Sequence, residues 1–365
     1  MRIQIYGQAD SWWSNCNVTR GLAQGLAVHG AEVKVYDRAL GEAWDRYVGD
    51  CTPGLDEDAE VGIYVGYAVQ LPLGRRVHQT QVGALIAESS QVPASWAFAA
   101  GQCDWVICPS KWVADSYKRS GLLRPGSSQP CRGVLVVHHG LDAAFVTDGD
   151  TKPAPGYRLL HIAGSRDFLD RKGTPQLIQA CRRLFGTAGF LRDLGTQIKI
   201  TIRTPPGPHI EELLHTGQPT DQLFVLDTHT EPLSPVRMRR LLTMDPWTAV
   251  VQPSRAEAFG MVPLEARACG VPVALTAAAG HLEHYDPKVD SLITTGPEAP
   301  IKVNGIPWGQ APEVSVEHVE HGLVKLLRRP WRDGVLEGVD RAAYCRRWSW
   351  PAVTRGLFER LTAES

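Results

Sequence analysis

Two stretches of this chain hold residue types at spacings suited to a charged, hydroxyl-bearing ligand. The first is 253–273, PSRAEAFGMVPLEARACGVPV, in which Glu257 and Glu265 are separated by seven residues. It reads as a strand end, a loop containing Gly260, a short helix with Pro263 at its first position, a stop at Gly270 and Pro272, and a new strand. Such a helix N-terminus offers unpaired N–H groups and a positive dipole end, which suit a diphosphate. Gly260 lets the backbone approach a ligand, with Met261 and Val262 following it, and the two carboxylates can accept hydrogen bonds from sugar and ribose hydroxyls. Each Glu alone has an ordinary explanation: a first-turn helix charge for Glu265, an exposed loop residue for Glu257. Their conjunction carries the reading. The second stretch, 162–173, IAGSRDFLDRKG, gathers Arg166, Arg171 and Lys172 at the carboxyl end of a strand, with Gly164 and Gly173 relieving the backbone. Arginine forks and a lysine point charge neutralise a diphosphate well, although such a loop taken alone reads more readily as solvated surface.

These groups need a scaffold that brings strand ends together. Arg2 to Tyr6 alternates apolar and polar residues as a strand does; Val18, Leu22 and Leu26 then recur one helical turn apart, Gly30 caps that helix, and EVKVY begins a second strand. Strand, helix, strand at this spacing is a parallel unit. VGIYVG, GALIAE, DWVICPS and VLVVHHG are further short buried-strand candidates. Between Phe145 and Tyr157 periodicity is lost in a run rich in Asp, Gly, Pro and Thr, the composition of a linker. Afterwards the alternation restarts with RLLHIAG, TPQLIQACRRLF, QIKITIR, LFVLD, SPVRMRRLLTM, WTAVVQPS, PLEARACG and VPVALT. The expectation is an α/β protein of two doubly wound, Rossmann-like domains, 1–150 and 151–344, facing a central cleft, with a final helix at about 345–365 packing back.

The 253–273 stretch resembles the signature of the retaining glycosyltransferases of the GT-B fold, specifically glycosyltransferase family 4. The matching positions are Glu257, Phe259, Gly260, Glu265, Ala266, Ala268, Gly270 and Pro272. The resemblance implies that Glu257 contacts the donor sugar near the phosphate and that Glu265 binds the nucleotide ribose. It further implies that backbone N–H groups around Gly260 to Val262 approach sugar and phosphate, while Arg166 and Lys172 clamp the diphosphate, with Arg171 a weaker candidate. The run from Glu88 to Trp96 resembles an acceptor-domain stretch of one subgroup. Many members carry a histidine just before that point. None can be placed here: Ala84 to Ser90 contains no His and His78 sits too early, which leaves Glu88 or Ser89 in its place. His138 and His139 read as structural. The loop from Gly7 to Asn17, where the family has a Gly-rich turn, carries Trp12, Trp13 and Asn15; the two Trp rings suit acceptor stacking and loop core equally. The loop GHLEHY, 280–285, resembles the family loop after the last donor-site strand, with Glu283 a candidate lining residue.

The resemblance implies sugar transfer from a nucleoside diphosphate sugar (UDP-, GDP- or ADP-linked) to an acceptor hydroxyl, with retention and without a metal or other cofactor. A sugar-nucleotide epimerase of the same architecture, or a non-catalytic carbohydrate- or partner-binding protein, are the alternatives. A formal net charge of -1 over 365 residues supplies no field that would recruit nucleic acid or anionic membrane. Basic pairs at Arg75-Arg76, Lys118-Arg119 and Arg346-Arg347 keep DNA as a minority acceptor beside glycan, lipid, protein and small molecule. The eight cysteines form no Cys-x2-Cys pair, and the Asp-x-Asp at Asp148 and Asp150 falls in the linker. No apolar run is long enough to span a bilayer and none follows MRIQIYG, so a cytoplasmic protein without transmembrane segment is expected.

Overall fold

The computed structural model describes residues 1–9, 14–37, 52–53, 58–71, 78–123, 130–146, 156–163, 169–186, 198–229, 233–245, 247–303, 306–328 and 340–364. They form two compact units, Met1–Val146 with Ala342–Ser365, and Thr147–Arg341.

The first unit runs β1 (Arg2–Gly7), α1 (Ser14–Val28), β2 (Glu32–Asp37), β3 (Thr52–Pro53), β4 (Val61–Gly66), β5 (Thr80–Leu85), α2 (Ala94–Ala100), β6 (Trp105–Cys108), α3 (Lys111–Arg119) and β7 (Gly133–Val136). Its strands pair in parallel in the order β3-β2-β1-β4-β5-β6-β7. Parallel sheets are covered on both faces, and β4 is accordingly buried at every residue. The same cover swallows a polar position inside β1. Gln4 is fully buried, and its side-chain amide donates to the Lys34 carbonyl at 3.1 Å. The alternation in β1 therefore does not mark a solvent face.

The second unit begins β8 (Tyr157–Ile162), α4 (Leu169–Lys172), α5 (Thr174–Gly186), β9 (Ile198–Thr204), α6 (Pro208–Leu214), β10 (Phe224–Thr228) and α7 (Pro235–Met244). It continues with β11 (Ala249–Gln252), α8 (Met261–Ala268), β12 (Val273–Thr276), β13 (Ser291–Ile293), β14 (Glu298–Val303), β15 (Ile306–Pro312) and α9 (Val316–Leu327). Six strands pair in parallel in the order β10-β9-β8-β11-β12-β13, and β14 and β15 form a separate antiparallel hairpin. Strand order reverses between β8 and β11, so the carboxyl ends of these two strands mark the place where a doubly wound sheet opens a crevice.

Two features depart from the sequence reading. Helix α8 begins at Met261, with Gly260 as its N-cap in the left-handed region (φ +89°), so Pro263 is its third residue. Proline is tolerated there because the first four N–H groups of a helix lack intrahelical partners anyway. Glu265 consequently lies just beyond the first turn. The helix end is as expected: Gly270 (φ +79°) donates to the Arg267 carbonyl and Val271 to that of Ala266, a Schellman stop. The hairpin was not foreseen, because Pro297, Pro300, Pro307 and Pro312 punctuate it like a loop. The Asn304-Gly305 pair between its strands was the available hairpin signal.

The chain ends in α10 (Arg341–Arg347) and α11 (Trp350–Thr362). In the first unit α11 packs on α1, with Trp350, Leu357 and Leu361 joining Val18, Leu22 and Leu26 in one core. The Trp350 ring lies where a Cβ on Gly21 would be, 1.9 Å away, so the glycine in α1 is what admits it. Among the described residues seven cysteines are free and buried, and no helix is long and apolar enough to cross a membrane.

Candidate donor site in the second unit

The segments following β8 and β11 are laced side by side. Helix α4 is a single turn, closed by Gly173 at φ +69°. A Cβ on Gly173 would stand 2.2 Å from the Pro253 carbonyl oxygen, so glycine is required by the conformation and by the close approach alike. The Arg255 N–H donates to the Arg171 carbonyl at 2.8 Å. Behind them the His161 ring bonds the Val251 carbonyl at 2.8 Å and the Thr174 hydroxyl at 2.9 Å, tying β8 to β11 and to the start of α5.

This lacing brings Lys172, Arg171 and Glu257 together. The Lys172 ammonium donates to Glu257 Oε1. Arg171 Nη1 lies 3.4 Å from the same oxygen and donates to the Ala256 carbonyl at 2.6 Å. Burial alone would raise the Glu257 carboxyl; the charges of Lys172 and Arg171 reverse that and hold it down at about 2. Glu257 is therefore an anion at any physiological pH. Arg171 is buried, whereas the Lys172 side chain keeps 18% of its surface exposed, so Lys172 is the cation better placed to meet a ligand.

Gly260 sits over a floor of histidines. A Cβ added to it would lie 2.5 Å from His281 Cδ2, so glycine here serves both the left-handed turn and the close packing. The Thr276 hydroxyl donates to the Ser254 carbonyl, which leaves its oxygen to accept from His281 Nδ1–H at 3.1 Å. That fixes the neutral tautomer with the lone pair on Nε2, which finds no hydrogen-bond partner among the described residues. Burial holds His281 at about 4, and the neighbouring His284, bonded to the Phe259 carbonyl at 3.0 Å, at about 3. The loop beneath is docked by Gly280 N–H to the Glu257 carbonyl at 2.9 Å and passes through Ala279 at φ +59°, a region L-residues adopt at a cost. Farther along α8, buried Arg267 pairs with buried Asp290 and donates to the His284 carbonyl.

Of the other residues singled out from sequence, Arg166, Trp12 and Trp13 lie outside the described residues. Glu265 is buried in α8, and Met261 and Val262 are half-buried at its start. Glu283 is half-buried at the end of the 279–283 turn. In the first unit Asn15 is half-buried in α1, its carbonyl accepting from the Thr19 hydroxyl at 3.0 Å. Glu88 lies 3.5 Å from the Tyr67 hydroxyl, and the Ser89 hydroxyl turns back onto the Gln91 carbonyl at 2.6 Å. His78 is buried, held by the Tyr6 hydroxyl at 2.7 Å and the Ala59 carbonyl at 2.8 Å. His138 bonds the Pro109 carbonyl, and burial holds His139 at about 3. Sequence reasoning missed Arg255 and His281. The His-x-x-His spacing in GHLEHY was a signal for the second; nothing local marked the first.

Two doubly wound units, each built on a parallel sheet, with charged groups converging at one switch point, define a GT-B-like double Rossmann protein. Residues 228–299 match the family described as Glycosyl transferases group 1. The chain is 35% identical over 238 residues to the D-inositol 3-phosphate glycosyltransferase of Frankia alni, a match covering 61% of this chain and 51% of that protein. It thus spans about half the length of the curated relative it matches. Among solved structures, the apo lipopolysaccharide outer core galactosyltransferase WaaB aligns over 100% of both chains with a TM-score of 0.65 at 12% identity. Anabaena HepE in complex with UDP-glucose aligns over 100% of both chains with a TM-score of 0.62 at 15% identity. Sucrose-phosphate synthase from Thermosynechococcus elongatus gives 0.64 at 14%, again over 100% of both. The chain has a GT-B-like double Rossmann fold, and its residues 228–299 match the group 1 glycosyl transferases.

Proposed function

We propose that this protein transfers a sugar from a nucleoside diphosphate sugar to an acceptor hydroxyl, with retention at the anomeric carbon. The observation that carries the reading is the convergence of Lys172 and Arg171 on Glu257 at the β8/β11 switch point, beside the N-terminus of α8. Lys172 and the first N–H groups of α8 are assigned to the donor diphosphate, and Arg166, six positions before Lys172 in the sequence, is assigned to it as well. Glu257, kept ionised, accepts from the donor sugar hydroxyls, and Glu265 from the ribose. As the bond from the anomeric carbon to the phosphate oxygen breaks, its electron pair stays on the leaving diphosphate, where the ammonium and the helix dipole stabilise the added charge. The acceptor oxygen forms the new bond on the same face and passes its proton to the departing phosphate oxygen, so no protein nucleophile is consumed. UDP-glucose in HepE supports a nucleotide sugar as ligand of this fold.

A thermal-shift panel of UDP, GDP, ADP and dTDP tests the donor reading. One nucleotide at about 100 times its Kd is expected to add roughly 2.7 kcal/mol of apparent stability. No response to any of the four ends the proposal. Labelled nucleotide sugar should then be consumed only with an acceptor present; conversion of the donor alone would mark an epimerase instead.

A further inference from the structure

Arg255 is buried next to the cluster but does not join it. Its guanidinium uses all three nitrogens. Nη1 donates to Asp170 Oδ2 at 3.1 Å, Nη2 to the Ala299 and Pro300 carbonyls at 3.2 and 3.3 Å, and Nε to the Pro312 carbonyl at 3.3 Å. The three carbonyls belong to both strands of the β14–β15 hairpin, and Asp170 precedes Arg171 and Lys172 in α4. With its backbone N–H on the Arg171 carbonyl, Arg255 grips the α4 turn from two sides and fastens it to the hairpin.

We infer that Arg255 is a positioning residue of the donor site: it holds the turn carrying Arg171 and Lys172 against the hairpin, so that Lys172 meets Glu257 in a fixed geometry. The inference rests on the reading of this cluster as the diphosphate site. Helix α4 has four residues, too few to hold its own shape through intrahelical bonds. The residues that orient the cations must therefore be outside it. A planar fork with donors pointing in three directions can join one carboxylate to three carbonyls; a lysine ammonium on a flexible stem cannot reproduce that spread. The hairpin, standing outside the six-stranded sheet, thereby acts as the wall against which the turn is braced.

The test compares Arg255→Met and Arg255→Lys with the wild type, using the nucleoside diphosphate found in the panel and the full transfer assay. A displacement of about 1 Å at reacting groups costs on the order of 10²-fold. Arg255→Met is accordingly expected to lower kcat 10- to 100-fold while raising the donor KM, and Arg255→Lys, which keeps the charge opposite Asp170, is expected not to rescue it. Values of kcat and donor KM within twofold of wild type, in a folded variant, overturn the inference. Hydrogen exchange supplies a readout independent of catalysis. The Gly173 amide, bonded to the Asp170 carbonyl at 3.1 Å, should exchange at least 10-fold faster in Arg255→Lys, and unchanged protection overturns the inference. Should the wild type bind no nucleoside diphosphate, the functional reading fails, while the exchange measurement still decides whether Arg255 orders the turn.

Discussion

Glu257 faces two cations, and its proton is released far below the usual carboxylate range. Its folded value is depressed relative to an exposed carboxyl, so the stability it contributes is present above about pH 4.5 and is lost as pH falls through about 2. In Lys172→Met only Arg171 remains, and a carbon-detected NMR titration should show the Glu257 carboxyl moving upward. Glu257→Gln keeps the shape but leaves Arg171, with a side chain only 5% exposed, beside a neutral amide. A loss of about 3 kcal/mol in urea unfolding is expected, since a buried charge that loses its facing carboxylate is costly. On the proposed chemistry, Lys172→Met should lower kcat/KM by about 10²- to 10³-fold, because it removes charge where the leaving group develops it. A change of less than threefold would remove Lys172 from the mechanism.

Helix α8 depends on groups at both of its ends. At its start, Gly260→Ala combines a left-handed Cβ with a clash on His281, and a destabilisation of about 2–4 kcal/mol is expected. Pairing it with His281→Ala should recover the clash but not the backbone strain, so the double variant should lose less than the sum of the singles in chemical denaturation. Near its end, Asp290→Ala leaves Arg267 buried without its carboxylate; about 3–5 kcal/mol is expected, and a loss under 1 kcal/mol would show that the pair is dispensable. The hairpin belongs to the same scale. Its carbonyls accept from Arg255, which grips the short α4 turn.

At the scale of the whole molecule, burial holds His139, His161, His281 and His284 at about 3, 4, 4 and 3. The unfolded chain takes up those protons near the ordinary value of 6.5. Between about pH 6.5 and 4 the unfolded state therefore binds more protons, and stability falls with acidification. Each histidine contributes about 1.4 kcal/mol per pH unit across that window. The expected result is a steep drop in Tm from pH 7 to pH 5, with proton uptake on unfolding measurable from calorimetry in buffers of different ionisation enthalpy. A flat Tm over this range would mean that these imidazoles are charged or hydrated in the folded state.

Much of the second unit was legible because its signals are local. Gly260, Gly270 and Pro272 bracket a helix through backbone rules that act over a few residues, and buried parallel strands announce themselves as short apolar runs. The spacing of Glu257 and Glu265 and the basic run ending at Lys172 are likewise properties of contiguous chain. Arg255 was not legible, since its partners lie 85 residues before it and 44 to 57 after it. Nor was the left-handed start of α8, whose need for glycine comes from a histidine 21 positions away. The chain by itself determined which elements form and which residue types cluster at their ends, because propensity and capping are short-range. Only the tertiary structure decided which of those charges meet, because pairing of buried ions depends on distances set by sheet order and not by sequence.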